Sequence, residues 1–152
     1  MRLALYEPDI AGNVGTILRT AACFGVPVDL IEPMGFPWSD KALRRSGMDY
    51  LPAGQVTRHV DWPTFNKERD GRLVLASTRG ATDLWDARFE RSDILLFGSE
   101  SAGVPDDVHA CADLAVRIPL FSGMRSLNVA VSAGIILAEA LRQLRHAEAP
   151  AR

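Results

Sequence analysis

The stretch Ile118-Pro-Leu-Phe-Ser-Gly-Met-Arg-Ser-Leu-Asn-Val-Ala-Val-Ser-Ala-Gly-Ile-Ile-Leu-Ala-Glu-Ala-Leu-Arg-Gln-Leu144 decides how the chain is read. A short apolar run passes through a Gly-containing loop into a helix that the pattern starts near Ser126. Serine is a favoured N-cap because its hydroxyl accepts a bond from an unpaired first-turn N–H. Val129 stands where a capping box would want Glu or Gln, so a simple cap is expected. Beyond it Val129, Val131, Ile135, Ile136, Leu137, Leu141 and Leu144 leave little of the circumference polar. A helix apolar nearly all round is buried on most sides. Ala130, Ala133, Gly134 and Ala138 let another backbone approach closely, which in so short a chain argues for burial against a second copy. The polar residues Arg125, Ser126 and Asn128 gather at the helix entrance, a suitable place for a small-molecule site.

With 152 residues the chain is long enough for a real core. One domain is expected over residues 1–145, with a frayed, disordered tail over 146–152. The formal net charge of −2 excludes a polycation, so any nucleic-acid binding must come from a local patch. Cys23 and Cys111 fit no metal spacing, and no metal site is expected. Met1-Arg2-Leu3 runs directly into a strand pattern rather than a leader. The apolar stretch of the last helix is interrupted by Ser132 and Glu139, so it does not read as a membrane span. A cytoplasmic protein is expected.

The rest of the chain alternates strands and helices. Leu3-Ala-Leu-Tyr6 reads as a buried strand before a turn at Pro8-Asp9. Asn13-Val-Gly-Thr-Ile-Leu-Arg-Thr-Ala-Ala-Cys-Phe24 has helical spacing and stops at Gly25. Val26 to Ile31 is a second strand, and Pro27 at its start points to a sheet edge. Strand, helix, strand at this spacing argues for a right-handed parallel βαβ unit. Short helices are expected over 39–45, 62–67 and 105–111, and short strands over 55–60 and 114–118. Leu73-Val-Leu-Ala-Ser77 and Ile94-Leu-Leu-Phe97 are continuous apolar runs, as in strands buried on both faces. The class is α/β with a mostly parallel sheet.

Three loops, each after an expected strand, carry the polar chemistry, and open α/β sheets bind ligands at those strand ends. The first is Asn13-Val-Gly15, leading to Arg19-Thr20. The second is Gly98-Ser-Glu-Ser-Ala-Gly103-Val-Pro105, able to offer backbone N–H groups to a ligand. Val104-Pro105 occupies the place where a phosphate loop needs Lys and Ser or Thr, and the loop is no nucleophile elbow. The third runs into Ser126.

The ordered set resembles the SPOUT superfamily of RNA methyltransferases, and within it the TrmL type of small tRNA 2′-O-methyltransferases. The residues carrying the likeness are Tyr6-Glu-Pro with Asn13-x-Gly15-x-x-x-Arg19, Ile31-Glu-Pro-Met-Gly-Phe36 and Asp40-Lys-x-Leu-Arg-Arg45. They continue through Gly47-x-Asp-Tyr50, Phe97-Gly-x-Glu100-x-x-Gly103-x-Pro105 and Ile118-Pro to Ser126-x-Asn128. The resemblance implies a sheet flanked by helices with a deep C-terminal trefoil knot, and a homodimer that binds S-adenosylmethionine. It implies methyl transfer to the ribose 2′-hydroxyl of the tRNA wobble nucleotide in the anticodon stem-loop, releasing S-adenosylhomocysteine without a metal. The donor would lie against Leu75, Ala76, Ser77, Thr78, Gly98, Glu100, Gly103, Ile118, Leu120, Ser126 and Leu127. Arg19 matches the family's catalytic arginine, with Asn13, Glu100, Ser126 and Asn128 as the other motif residues. Two departures stand out: Ser122-Gly-Met-Arg125 in place of the Asp-Ser-Arg form, and Gly98-Ser99 in place of the frequent Gly-Pro. Another RNA position or ribosomal RNA as target, or a non-catalytic RNA-binding dimer, are the competing readings.

Substrate RNA needs positive charge, and Lys41, Arg44, Arg45 and Arg125 supply it, with Arg58, His59 and Arg79 as further cations. Arg44 and Arg45 fall within a segment shared with the family. An Arg44/Arg45 double alanine variant should lose salt-dependent tRNA binding in a filter or anisotropy assay. Unchanged binding would remove the patch.

Overall fold

The structure is a computed structural model and describes residues 1–39 and 54–148. Its strands are β1 (Arg2–Tyr6), β2 (Val28–Ile31), β3 (Val56–His59), β4 (Leu73–Ala76), β5 (Thr82–Asp83), β6 (Ile94–Phe97) and β7 (Leu114–Arg117). The helices are α1 (Ala11–Phe24), α2 (Trp62–Glu68), α3 (Asp106–Ala110) and α4 (Val129–Glu148). The described strands form one sheet in the order β3-β2-β1-β6-β4-β7-β5, and each neighbouring pair is parallel.

A parallel sheet has to be covered on both faces, and side chains alternate across it. Leu3, Leu5, Val28, Leu30, Leu95 and Phe97 point to one face, where α1 and α4 close the larger core. Ala4, Tyr6, Ile31, Leu73, Leu75 and Leu96 point to the other, against Phe65 of α2 and Val108 of α3. The C-terminus of α1 has a local cause. Gly25 takes a left-handed φ of 67° at the C-terminus, where its N–H reaches the carbonyls of Ala21 and Ala22.

Several expectations are corrected by the fold. The strand after Pro27 is interior, between β1 and β3, and β3 takes the edge. Pro27 precedes that strand, and its carbonyl accepts the N–H of Leu3 at 2.9 Å, so its missing N–H interrupts no ladder. Helix α1 starts at Ala11, with Asn13 inside its first turn. Helix α4 starts at Val129, not near Ser126. Its cap is Asn128, whose Oδ1 accepts from Ala130 N–H at 2.8 Å and Val131 N–H at 3.3 Å. The same helix runs to Glu148, past the boundary expected at 145. The two-residue β5 was not foreseen, being too short to leave a pattern. Most of the helix expected over 39–45 lies outside the described residues.

Buried charge collects at the amino ends of the strands. Asp29 is 1% exposed and accepts from Arg2 Nε and Nη2, both at 2.7 Å, with His59 Nε2 at 2.8 Å. Asp93, fully buried, is held by Arg72 at 2.8 and 2.9 Å. Buried carboxylates persist only when paired in this way.

The far end of α4 is tied down by Gln143, which donates to Ala87 O at 3.0 Å and accepts from Phe89 N–H at 3.1 Å. Glu139 steadies that side chain and bonds Arg142, and these two contacts hold its carboxyl down from 4.5 to about 2, Arg142 contributing most. Because the folded value is the lower one, this stabilisation is complete above 4.5 and is lost as the pH falls towards 2. A Glu139→Gln variant should therefore be less stable than the parent at neutral pH and approach it in strong acid. Urea unfolding at a series of pH values reads this, and a gap independent of pH would refute it.

Candidate functional site

At the carboxyl ends of β4, β6 and β7 the sheet opens into a cavity of about 610 Å³, within the usual range for a small-molecule site. One wall follows β4, with Ala76, Ser77, Thr78 and Arg79. A second follows β6, with Gly98, Ser99, Glu100 and Gly103. The third comes from Ile118, Leu120, Ser126, Leu127 and Asn128, and Asn13 of α1 reaches it from the side.

Hydrogen bonds hold these walls together across great sequence distance. Glu100 Oε2 accepts the Asp9 N–H at 2.8 Å, and its Oε1 accepts from Asn13 Nδ2 at 2.9 Å. Asn13 Oδ1 in turn accepts from Asn128 Nδ2 at 2.9 Å. Asn128 then spends its own oxygen on the first turn of α4. One polar chain thus runs from the loop after β6, through α1, to the start of the last helix.

A second clamp lies beside it. Asp9 Oδ2 accepts both the backbone N–H and the hydroxyl of Ser101. The hydroxyl contact, followed by the N–H, holds the Asp9 carboxyl below its usual range. Within the loop, Ser99 and Gly103 exchange both backbone hydrogen bonds at 2.9 Å. This narrow closure needs glycine at position 98, because a Cβ there would stand 2.5 Å from the Gly103 carbonyl carbon.

The sequence-derived site residues separate according to where the structure places them. Asn13, Ala76, Ser77, Thr78, Gly98, Glu100, Gly103, Ile118, Leu120, Ser126, Leu127 and Asn128 all face the cavity. Leu75 does not: it is 1% exposed and packs in the sheet core, because alternation turns it away from the neighbouring wall residue Ala76. Arg19 is exposed on α1, outside the cavity lining and about 9 Å along the helix axis from Asn13. Arg125 is exposed on the rim, while Lys41, Arg44 and Arg45 lie outside the described residues. Arg58 is engaged with Glu32 at 2.7 Å and stacks over Trp38, and His59 is held by Asp29, so neither stands free for phosphate. Arg79 pairs with Asp106 at 3.0 Å, both exposed, a weak surface contact.

Other lining residues escaped the motif comparison. Val129, Ser132 and Ile136 line the cavity at i, i+3 and i+7, a helical periodicity visible in the sequence once the helix start is known. Asp9 left no such signal, since its partner Ser101 is 92 residues away. Among the described residues no group of three or more His, Cys, Asp or Glu side chains could hold a metal ion. No helix among them is long and apolar enough to cross a membrane.

Comparison with known proteins gives this geometry a context. Residues 1–138 match the model of the SpoU rRNA Methylase family. A tRNA (cytidine(34)-2′-O)-methyltransferase of Beijerinckia indica subsp. indica is 54% identical over 145 residues, covering 93% of this chain and 91% of the relative. A solved structure described as giving insights into the 2-OH methylation of C/U34 on tRNA superimposes with a TM-score of 0.87 at 41% identity, covering 95% of this chain and 96% of the other. An AdoMet-bound rRNA methyltransferase from Sinorhizobium meliloti superimposes at 0.82 with 30% identity, covering 94% of this chain and 56% of the other.

The central amide makes a sharp test, since its position needs a donor towards Glu100 and an acceptor towards Asn128. Asn13→Ala should cost about 1–2 kcal/mol, the net worth of two hydrogen bonds. Asn13→Asp should be worse at neutral pH, because it sets a carboxylate against Glu100, and the excess should vanish in acid. Chemical denaturation at two pH values checks the order, and the reverse order would refute the bonding pattern.

Proposed function

The chain belongs to the SpoU rRNA methylase family, and on that footing we propose that it methylates the ribose 2′-hydroxyl of the wobble nucleotide of tRNA. It is an S-adenosylmethionine-dependent tRNA (cytidine/uridine-2′-O)-methyltransferase. The observation that carries this reading is the polar chain Glu100–Asn13–Asn128, which ties the loop after β6, helix α1 and the entrance of α4 together around one cavity. The cavity suits the donor: Ile118, Leu120 and Leu127 offer apolar surface, and Ser77, Thr78, Ser126 and the loop backbone offer polar contacts.

Bound S-adenosylmethionine supplies a methyl group already activated on a sulfonium centre. The protein's own task is alignment and exclusion of water. Glu100 has both oxygens engaged by neighbouring donors, so it serves as a structural acceptor that fixes the loop. Asn13 and Asn128 position the helix entrance, and Ser126 presents a hydroxyl to the donor or the ribose. Arg19 clamps the phosphate beside the target and stabilises developing alkoxide character, because arginine stays protonated and makes a poor base.

Arg19 lies outside this chain's cavity lining, which favours its delivery from the second copy of a homodimer. Ile10 and Phe24, at the two ends of α1, and Val131 on the adjoining α4 are 49, 48 and 51% exposed. They leave apolar surface for that second copy. A trefoil knot is supported by strand order: β7 lies between β4 and β5, which are joined only by residues 77–81. That short connection crosses β7, with Ser77 N–H on the Val116 carbonyl and Leu84 N–H on that of Arg117. The chain through α4 acts as one catalytic domain, with Lys41, Arg44, Arg45 and Arg125 contacting the anticodon stem-loop, and the enzyme works in the cytoplasm with its tRNA.

The test is methylation of unfractionated tRNA with labelled donor, followed by nuclease mapping of the label. Label at the wobble nucleotide is expected, and label elsewhere would overturn the assignment. Arg19→Ala should abolish transfer while calorimetric donor binding persists. Mixing Arg19→Ala with Asn128→Ala subunits should restore part of the activity if the arginine acts across the dimer.

A further inference from the structure

Residues 120–127 leave the cavity wall and return to it. Leu120 lines it on the outgoing side, and Ser126 and Leu127 on the return. Between them the chain turns, with the Met124 N–H donating to the Phe121 carbonyl at 3.1 Å and Gly123 at φ 89°. A positive φ at the third of four turn residues is the type II pattern, which favours glycine there. The turn therefore sets Phe121 and Met124 at its two ends, and both stand in solvent, 86% and 65% exposed. Exposed Arg125 follows directly. A scattered surface leucine needs no explanation. A nearly naked phenylalanine paired with a methionine at the mouth of a reactive site does.

Resting on the function proposed above, we infer that Phe121, flanked by Met124, stacks on the pyrimidine base of the nucleotide being methylated. Reach supports this occupant. Phe121 follows the wall residue Leu120, one Cα step of about 3.8 Å away. A nucleotide whose 2′-hydroxyl enters the mouth leaves its base at that rim. Chemistry supports it too. An anticodon nucleotide is single-stranded, and proteins hold such bases against aromatic faces while cations take the adjoining phosphate. Arg125 is the cation next in the chain. Stacking reads the π face and ignores exocyclic groups, so this contact accepts cytidine and uridine alike. The departure at Gly123-Met124 is thus part of a base platform.

The inference is tested by a double-mutant cycle between protein and RNA. Anticodon stem-loops carrying either cytidine or an abasic residue at the wobble position are titrated against the parent protein, Phe121→Ala and Phe121→Trp, with binding read by fluorescence anisotropy. Phe121→Ala should weaken the cytidine RNA about tenfold, within the span of one base–aromatic stack, and leave the abasic RNA unaffected. Phe121→Trp should keep its affinity and show indole fluorescence quenched by the cytidine RNA only. Equal losses on both RNAs, or no loss on either, would overturn the inference. So would conversion of Phe121→Ala to monomers in sedimentation, since the ring would then cover a second copy. Parent protein that fails to methylate the wobble nucleotide defeats the functional reading itself. Parent methylation with uncoupled Phe121 defeats only the stacking.

Discussion

The carboxylate of Glu100 and the amide of Asn13 join parts of the chain that are otherwise strangers. Each link is an ordinary hydrogen bond of 2.8 or 2.9 Å, with a net worth of about 1 kcal/mol. Their importance lies in sequence. Glu100 has only acceptors, so it draws two donors, and the amide donating to it turns its own oxygen towards Asn128. The second amide repeats the pattern and ends on backbone N–H groups of α4. Donors and acceptors alternate along the chain, each bond polarising the next. Amides suit the two middle positions because they offer both kinds of group on one side chain.

This arrangement depends on a sheet that is finished elsewhere. Apolar side chains cover both faces, and the buried carboxylates Asp29 and Asp93 are paired at the amino ends of the strands. The carboxyl ends are left for loops, whose polar groups answer to one another and to a ligand. Glu7, just before the Pro8-Asp9 segment that grips Ser101, has a φ of 42°, rarely adopted by a residue with a side chain. Strain of this kind persists only where its surroundings impose it. Here those surroundings include the Glu7 N–H bond to the Ile31 carbonyl at 2.9 Å.

The rim beyond the cavity has a different character. Within the cavity, Glu100, Asn13 and Asn128 are fixed by the polar chain. At residues 121–125 the side chains stand exposed on one turn. A methyltransferase of this kind needs both: a stiff pocket for alignment and an outward surface that meets a single-stranded nucleotide.

Much of the fold was legible in periodicity. The continuous apolar runs at Leu73 and Ile94 announced interior parallel strands, and the spacing from Val129 announced the last helix, because burial imposes patterns that any window of the chain displays. The ordered motifs include Asn13, Glu100 and Asn128, the three side chains that the structure links in one polar chain, whereas the wall along β4 carries none of them. The sequence alone could not decide which polar residue caps α4, whether the strand after Pro27 is interior, or which way Leu75 and Ala76 face. Those choices turn on partners 27 to 115 residues distant, such as Asp29 for Arg2 and Asn13 for Asn128. Local pattern records what a residue must be buried from. Only the tertiary structure decides what it meets.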